Sequence, residues 1–121
     1  AIYVDVGLMS RVLSNLVDNA LKFTPVGGQV TLWCSPPPEH SDSLLWLGVS
    51  DSGPGIPLEK QQYIFEKFQQ LQTTGEKRPG SGLGLHYCKL AVEAHGGKIW
   101  VESQPNQGST FVVQLPLAKF E

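Results

Sequence analysis

Three groups of residues in this chain have types and spacings suited to chemistry. Asn15, Asn19 and Lys22 are separated by four and three residues, so on a helix they share one side and flank its apolar stripe. Two stacked amides offer oxygens that can bind a hard cation, and a lysine adds a mobile positive point charge. A solvated polar helix edge would use the same residues. In Asp51-Ser52-Gly53-Pro54-Gly55-Ile56 a carboxylate is followed by two glycines. Such an aspartate can accept a hydrogen bond from an amino group, such as that of adenine, while backbone without side chains lets a ligand come close. A tight turn closed by an Asx side chain is the plain alternative. Gly80-Ser81-Gly82-Leu83-Gly84-Leu85 opens a helix, where free N–H groups and the positive helix end favour phosphate. The run is not a P-loop, since no Gly-Lys-Ser/Thr follows. It is not a dinucleotide fingerprint either, since Leu85 stands at the third glycine's place and no strand immediately precedes.

These groups need elements to position them. Met9, Val12, Leu13, Leu16, Ala20 and Phe23 predict an amphipathic helix over Leu8–Phe23, stopped by Thr24-Pro25 and Gly27-Gly28. A short strand is expected over Ala1–Val4. Gln29–Cys34, with Val30, Leu32 and Cys34 alternating against polar neighbours and Trp33, and Leu44–Val49 read as antiparallel strands. Pro36-Pro37-Pro38 belongs to a stiff loop between them, because proline cannot donate inside a sheet. Leu58–Phe68 reads as a short helix and the aperiodic stretch to Gly82 as a long loop. A second long helix is expected over Leu83–His95, with Leu83, Tyr87, Leu90, Ala91 and Ala94 inward and His86, Lys89 and Glu93 on its polar side. Lys98–Ser103 and Thr110–Leu115, with Phe111, Val113 and Leu115 on one face, form a terminal hairpin. This order predicts an α+β fold, a two-layer α/β sandwich with helices on one face of the sheet.

A chain of 121 residues, 40% apolar and 17% charged, is enough for one domain with a core. A net charge of -2 and a pI near 5.9 advertise neither a nucleic-acid nor a membrane surface. No apolar run approaches the roughly 18 residues of a membrane span, and Ala1–Asp5 lacks signal-peptide character. Cys34 and Cys88 stand far apart without zinc spacing and read as small buried hydrophobes in a reduced compartment, the cytoplasm by default.

The order of the motifs supplies a resemblance. Asn15-Leu16-Val17-Asp18-Asn19-Ala20-Leu21-Lys22-Phe23-Thr24-Pro25 resembles the N box of sensor histidine kinases. Asp51–Ile56 resembles their G1 box, Phe65-Glu66-Lys67-Phe68 their F box and Gly80–Leu85 their G2 box. Gly108-Ser109-Thr110-Phe111 is similar to the family's last strand. The likeness is to the ATP-binding catalytic domain and covers residues 1–121. It implies the Bergerat fold, with a mixed, mostly antiparallel sheet and a lid over about residues 69–82.

By the same resemblance Asn19 would coordinate Mg²⁺, with Asn15 nearby, and Lys22 would neutralise phosphate charge. Asp51 would bind the adenine amino group, Phe23 would stand against the base, and Gly53, Gly55 and Ile56 would border it. Thr110 would support the base through Asp51 or water, and Gly80, Ser81, Gly82, Leu83, Gly84 and Leu85 would hold the phosphates of ATP. The resemblance further implies a phosphoacceptor histidine on a separate dimerising hairpin, which this chain lacks, so an excised domain is expected. Its partners would be that hairpin and a downstream response regulator, with neither nucleic acid nor membrane in direct contact. His40, His86 and His95 read as ordinary surface residues. Phe68 is followed by Gln69-Gln70 where the family often carries an arginine; Lys67, Lys77 or Arg78 could supply that charge. Two other readings are a degenerate nucleotide-binding or protein-interaction module, and an ATPase of the gyrase and chaperone type. Asn15 disfavours the latter, since an amide cannot act as a general base.

Overall fold

The computed structural model describes residues 3–39, 42–67, 84–104 and 106–117. Asp5 caps the first helix, α1 (Val6–Phe23), its side chain accepting from the Leu8 N–H at 3.0 Å. The cap moves the helix start ahead of the apolar periodicity, to Val6. Thr24 adopts extended backbone before Pro25 and its hydroxyl donates to the Ala20 carbonyl, which ends the helix. Met9, Val12, Leu16 and Ala20 form the buried stripe. Tyr3 and Val4, the described part of the expected first strand, are not in a strand, and residues 1 and 2 lie outside the described residues.

The remaining elements are β1 (Val30–Ser35), β2 (Leu44–Asp51), α2 (Leu58–Gln61), α3 (Gly84–Ala94), β3 (Lys98–Ser103) and β4 (Ser109–Pro116). The sheet runs β1-β2-β4-β3 and every pairing is antiparallel. The register places Val49 and Asp51 of β2 beside Phe111 and Ser109 of β4, which in turn face Val101 and Ser103 of β3. That face carries α1 and α3, which also pack on one another. Val12, Leu16, Val49, Val92, Phe111, Val113 and Leu115 are essentially removed from water, and burial of this kind is worth about 1.5–3 kcal/mol per side chain. The opposite face holds Trp33, Trp46 and Trp100. Trp46 and Trp100 meet edge to face at 5.2 Å, and the Trp33 ring occupies the space a side chain at Gly48 would need.

Several expectations change. α2 ends at Gln61, after which Tyr63 and Glu66 close turns onto Lys60 and Tyr63, so the expected helix to Phe68 stops early. On α3 the buried stripe is Cys88, Ala91 and Val92, while Leu90 and Ala94 are exposed; Leu83 lies outside the described residues. Cys34 is exposed and Leu32 is 57% exposed, because β1 is an edge strand that the helices cover poorly. Cys88 is buried as expected. Among the described residues no helix is long and apolar enough to cross a membrane.

Candidate functional site

β2 runs two residues beyond its apolar stretch and ends on Asp51. The Asp51 carboxylate accepts the Gly53 N–H at 2.9 Å and the Ser109 N–H. Burial pushes its pKa up from 3.8, and these two bonds act against that rise. A half-buried acceptor held by two backbone donors is aimed before any ligand arrives.

The glycines next to it serve close approach. A Cβ at Gly53 would lie 2.8 Å from the Phe23 carbonyl oxygen and 2.9 Å from Asp51 Oδ1, so the G1 turn touches both the end of α1 and the carboxylate. Gly55 has φ +81°, and a Cβ there would collide with the Gln104 carbonyl. Ile56 is buried, and its N–H donates to Ser103 Oγ at 2.7 Å. Ser52 Oγ accepts from the Gln29 N–H, tying the turn to the start of β1. Phe23 is half-buried at the last position of α1.

Asn15 and Asn19 lie half-buried on α1, one turn apart, with the exposed Lys22 following. Asn15 Nδ2 donates to the Gly84 carbonyl at 3.4 Å, which links the helix bearing the amides to the first turn of α3. Gly84 and Leu85 are the described part of the glycine-rich run; residues 80–83 and the expected lid, 69–82, lie outside the described residues. The structure therefore brings together the end of α1, the end of β2, the G1 turn and the start of β4. Its contact between Asn15 and Gly84 joins α1 to the start of α3.

Thr110 is a correction. Phe111 points into the core, so alternation turns Thr110 to the other face, where its hydroxyl meets Ser50 Oγ at 3.0 Å and Ser50 also accepts from Trp33 Nε1. The register partner of Asp51 is Ser109, only 6% exposed. The signal was present in the sequence, since an inward Phe111 requires an inward residue 109. His86 and His95 are also more than surface residues. His86 Nδ1 bonds the Phe65 carbonyl at 3.0 Å, and His95 bonds Ala91 through Nδ1 and the Asp5 N–H through Nε2. His40 lies outside the described residues. Phe65 of the F box packs edge to face on Phe111 at 6.0 Å.

Among the described residues no cluster of three His, Cys, Asp or Glu side chains could hold a metal. The amide oxygens of Asn15 and Asn19 suit a hard cation that takes most of its ligands from phosphate and water, the usual habit of Mg²⁺. A separate groove of about 630 Å³ lies between α2 and the β3 edge, lined in part by Leu58, Phe65 and Ile99.

Residues 4–119 match the family described as histidine kinase-, DNA gyrase B-, and HSP90-like ATPase. The adaptive-response sensory kinase SasA of Rippkaea orientalis is 42% identical over 118 residues, covering 98% of this chain and 29% of that protein. The SasA of Microcystis aeruginosa is 40% identical over 116 residues, covering 96% and 29%. The chain thus spans less than a third of the length of these relatives. Among solved structures, the mycobacterial sensor histidine kinase MprB superposes with a TM-score of 0.84 at 32% identity, covering 95% of this chain and 76% of that one. Full-length ShkA in complex with AMPPNP superposes at 0.78 with 32% identity, covering 94% and 22%. The four-stranded antiparallel sheet with its helices on one side agrees with those folds. The chain belongs to the histidine kinase-, DNA gyrase B-, and HSP90-like ATPase family.

Proposed function

We propose that residues 1–121 are the catalytic and ATP-binding domain of a sensor histidine kinase, which binds Mg-ATP and donates its γ-phosphoryl group to a histidine on a separate dimerisation domain. The observation that carries this reading is the Asp51 carboxylate, aimed by the N–H groups of Gly53 and Ser109 beside glycines that leave room for a flat base. As an ionised carboxylate it is acceptor-only and takes a hydrogen bond from the amino group of adenine. Phe23 stands against the base, with Gly53, Gly55 and Ile56 at its border.

Transfer of a phosphoryl group depends mainly on positioning and charge stabilisation, so the domain needs no nucleophile of its own. Asn19 would hold Mg²⁺ with Asn15 beside it; when bound, the ion neutralises phosphate charge. Lys22 would contribute a cation, and Gly84 and Leu85 at the start of α3 would offer backbone N–H groups to the phosphates. Asn15 donates to a carbonyl and cannot take a proton from water, which favours transfer over hydrolysis. The sensory-kinase names of the relatives support a signalling role; a response regulator is the proposed downstream partner and the cytoplasm the proposed location.

Calorimetric titration with Mg-ADP and a non-hydrolysable ATP analogue tests the site. Saturable binding is expected in the wild type and its loss in Asn19→Ala and Asp51→Asn. No binding by the folded wild type would overturn the reading in favour of an interaction module. A fusion to a histidine-bearing hairpin domain then tests transfer, by incorporation of labelled phosphate.

A further inference from the structure

Ser103 sits at the end of β3, in register with Ser109, with three polar neighbours around one hydroxyl. The Ile56 N–H donates to its Oγ at 2.7 Å, the Gly108 carbonyl lies at 3.0 Å and Ser109 Oγ at 2.9 Å. A serine hydroxyl has one proton and two lone pairs. The Gly108 carbonyl can only accept, so the three contacts are all hydrogen bonds only when the Ser103 proton goes to it. Both Ser103 lone pairs are then taken, one by the Ile56 N–H and one by the Ser109 hydroxyl proton. Ser109 is the donor in the serine pair, and its own lone pairs are what remain for the face it shares with Asp51.

We propose that Ser103 is a positioning residue for base selection: by committing the Ser109 proton, it makes the base site beside Asp51 a pair of acceptors. This rests on the reading of Asp51 as the adenine partner. Two acceptors match an amino group, which has two N–H donors, and oppose a carbonyl oxygen in the same place. A 6-oxo purine, hypoxanthine or guanine, would meet lone pairs with a lone pair. Without Ser103, the Ser109 hydroxyl is free to turn and donate to that oxygen. Ser103 touches no ligand itself; it acts through Ser109, which pairs in register with Asp51, the residue that accepts the Gly53 N–H. Because the Ser103 hydroxyl also anchors the Ile56 N–H, it joins the G1 turn to the β3–β4 hairpin, and the polarity of the site and the placement of the turn are set by one atom.

The test compares ADP with inosine diphosphate, which differ only at this edge of the base, by calorimetry on the wild type, Ser103→Ala, Ser103→Thr and Ser109→Ala. The wild type is expected to prefer ADP. Ser103→Ala is expected to shrink the ADP-to-IDP preference by on the order of tenfold, the worth of one strong hydrogen bond, with the IDP affinity rising. Ser103→Thr, which keeps the hydroxyl, is expected to restore the preference, whereas a merely structural role for Ser103 would weaken both nucleotides alike. Should Ser103→Ala fail to fold, Ser109→Ala decides: its preference is expected to fall, and an unchanged ratio overturns the relay. Wild type that binds ADP, with the same ADP-to-IDP ratio in Ser103→Ala, overturns the role of Ser103 alone. Wild type that binds neither nucleotide overturns the adenine reading beneath it.

Discussion

Replacing Gly53 by alanine puts the packing of the G1 turn to a sharp test. The new Cβ would stand 2.8 Å from the Phe23 carbonyl oxygen, 2.9 Å from Asp51 Oδ1 and 3.3 Å from the Phe23 carbonyl carbon. Carbon and oxygen approach no closer than about 3.3 Å even in weak C–H···O contacts, so roughly half an ångström must be found. The Phe23 carbonyl cannot supply it cheaply, because it is backbone at the end of α1, where the next residue, Thr24, bonds Ala20 through both its N–H and its hydroxyl. The turn and the carboxylate must therefore part. Overpacking of this kind costs about 1–3 kcal/mol, and weakening the Gly53 N–H bond to a charged acceptor costs about 1.5–3 kcal/mol. One movement relieves the first and causes the second, so we expect about 3 kcal/mol in all rather than the sum. That is a large share of the roughly 5–15 kcal/mol that holds a domain. Gly27→Ala is the control: Gly27 has φ +87° but nothing within 4 Å, so only the left-handed backbone cost of about 1–2 kcal/mol applies. Urea unfolding followed by tryptophan fluorescence reads the global transition, since all three tryptophans lie on the sheet, and ADP titration reads the site. With an m value of about 2 kcal/mol/M, Gly53→Ala should lower the midpoint by about 1.5 M. An alanine at 53 that costs no more than one at 27, with ADP affinity unchanged, would refute the reasoning.

Asp51→Asn should abolish ADP binding while leaving the apo domain folded, because burial already disfavours the charged form. A raised carboxyl pKa contributes stability that is present at low pH and lost as pH rises through it. Wild type should therefore gain stability relative to Asp51→Asn as pH falls through the raised carboxyl pKa towards 3.8, and lose ADP affinity over the same interval; parallel stability curves would contradict this. Gly48→Ala drives a methyl into the Trp33 ring and should break the Trp33 Nε1 bond to Ser50, 2.9 Å long, at a cost of about 2 kcal/mol with a shift in tryptophan emission. In a thiol-labelling experiment at pH 8, exposed Cys34 should react at once. Cys88 should react only on unfolding, since it is buried and its pKa is pushed up to about 11.

Much of the molecule was legible from local pattern. The apolar stripe of α1, the inward Phe111, Val113 and Leu115 of β4 and the carboxylate before two glycines all hold in the structure. The misreadings share a cause. Leu32 and Cys34 alternate like core residues but lie on an edge strand, and the order β1-β2-β4-β3 is not encoded in either strand's own pattern. Leu90 was placed inward by a periodicity that fits two neighbouring faces of α3; packing against α1 selects the stripe through Cys88 and Val92. Motif likeness assigns Thr110 the support of the base through Asp51 or water, whereas strand alternation alone puts Ser109 beside Asp51.

By itself the sequence determined the types of element, their order and the family, because side-chain period, glycine and proline punctuation, and motif spacing are properties of a few neighbouring residues. Only the tertiary structure decided which of those residues meet. The bond from Asn15 to Gly84 spans 69 residues, that from Asp5 to His95 spans 90, and the Ser103 hydroxyl joins Ile56, 47 residues away, to Gly108 and Ser109 of its own hairpin. Such partners depend on strand order and on helix packing over one face of the sheet, which arise from the burial of many side chains at once.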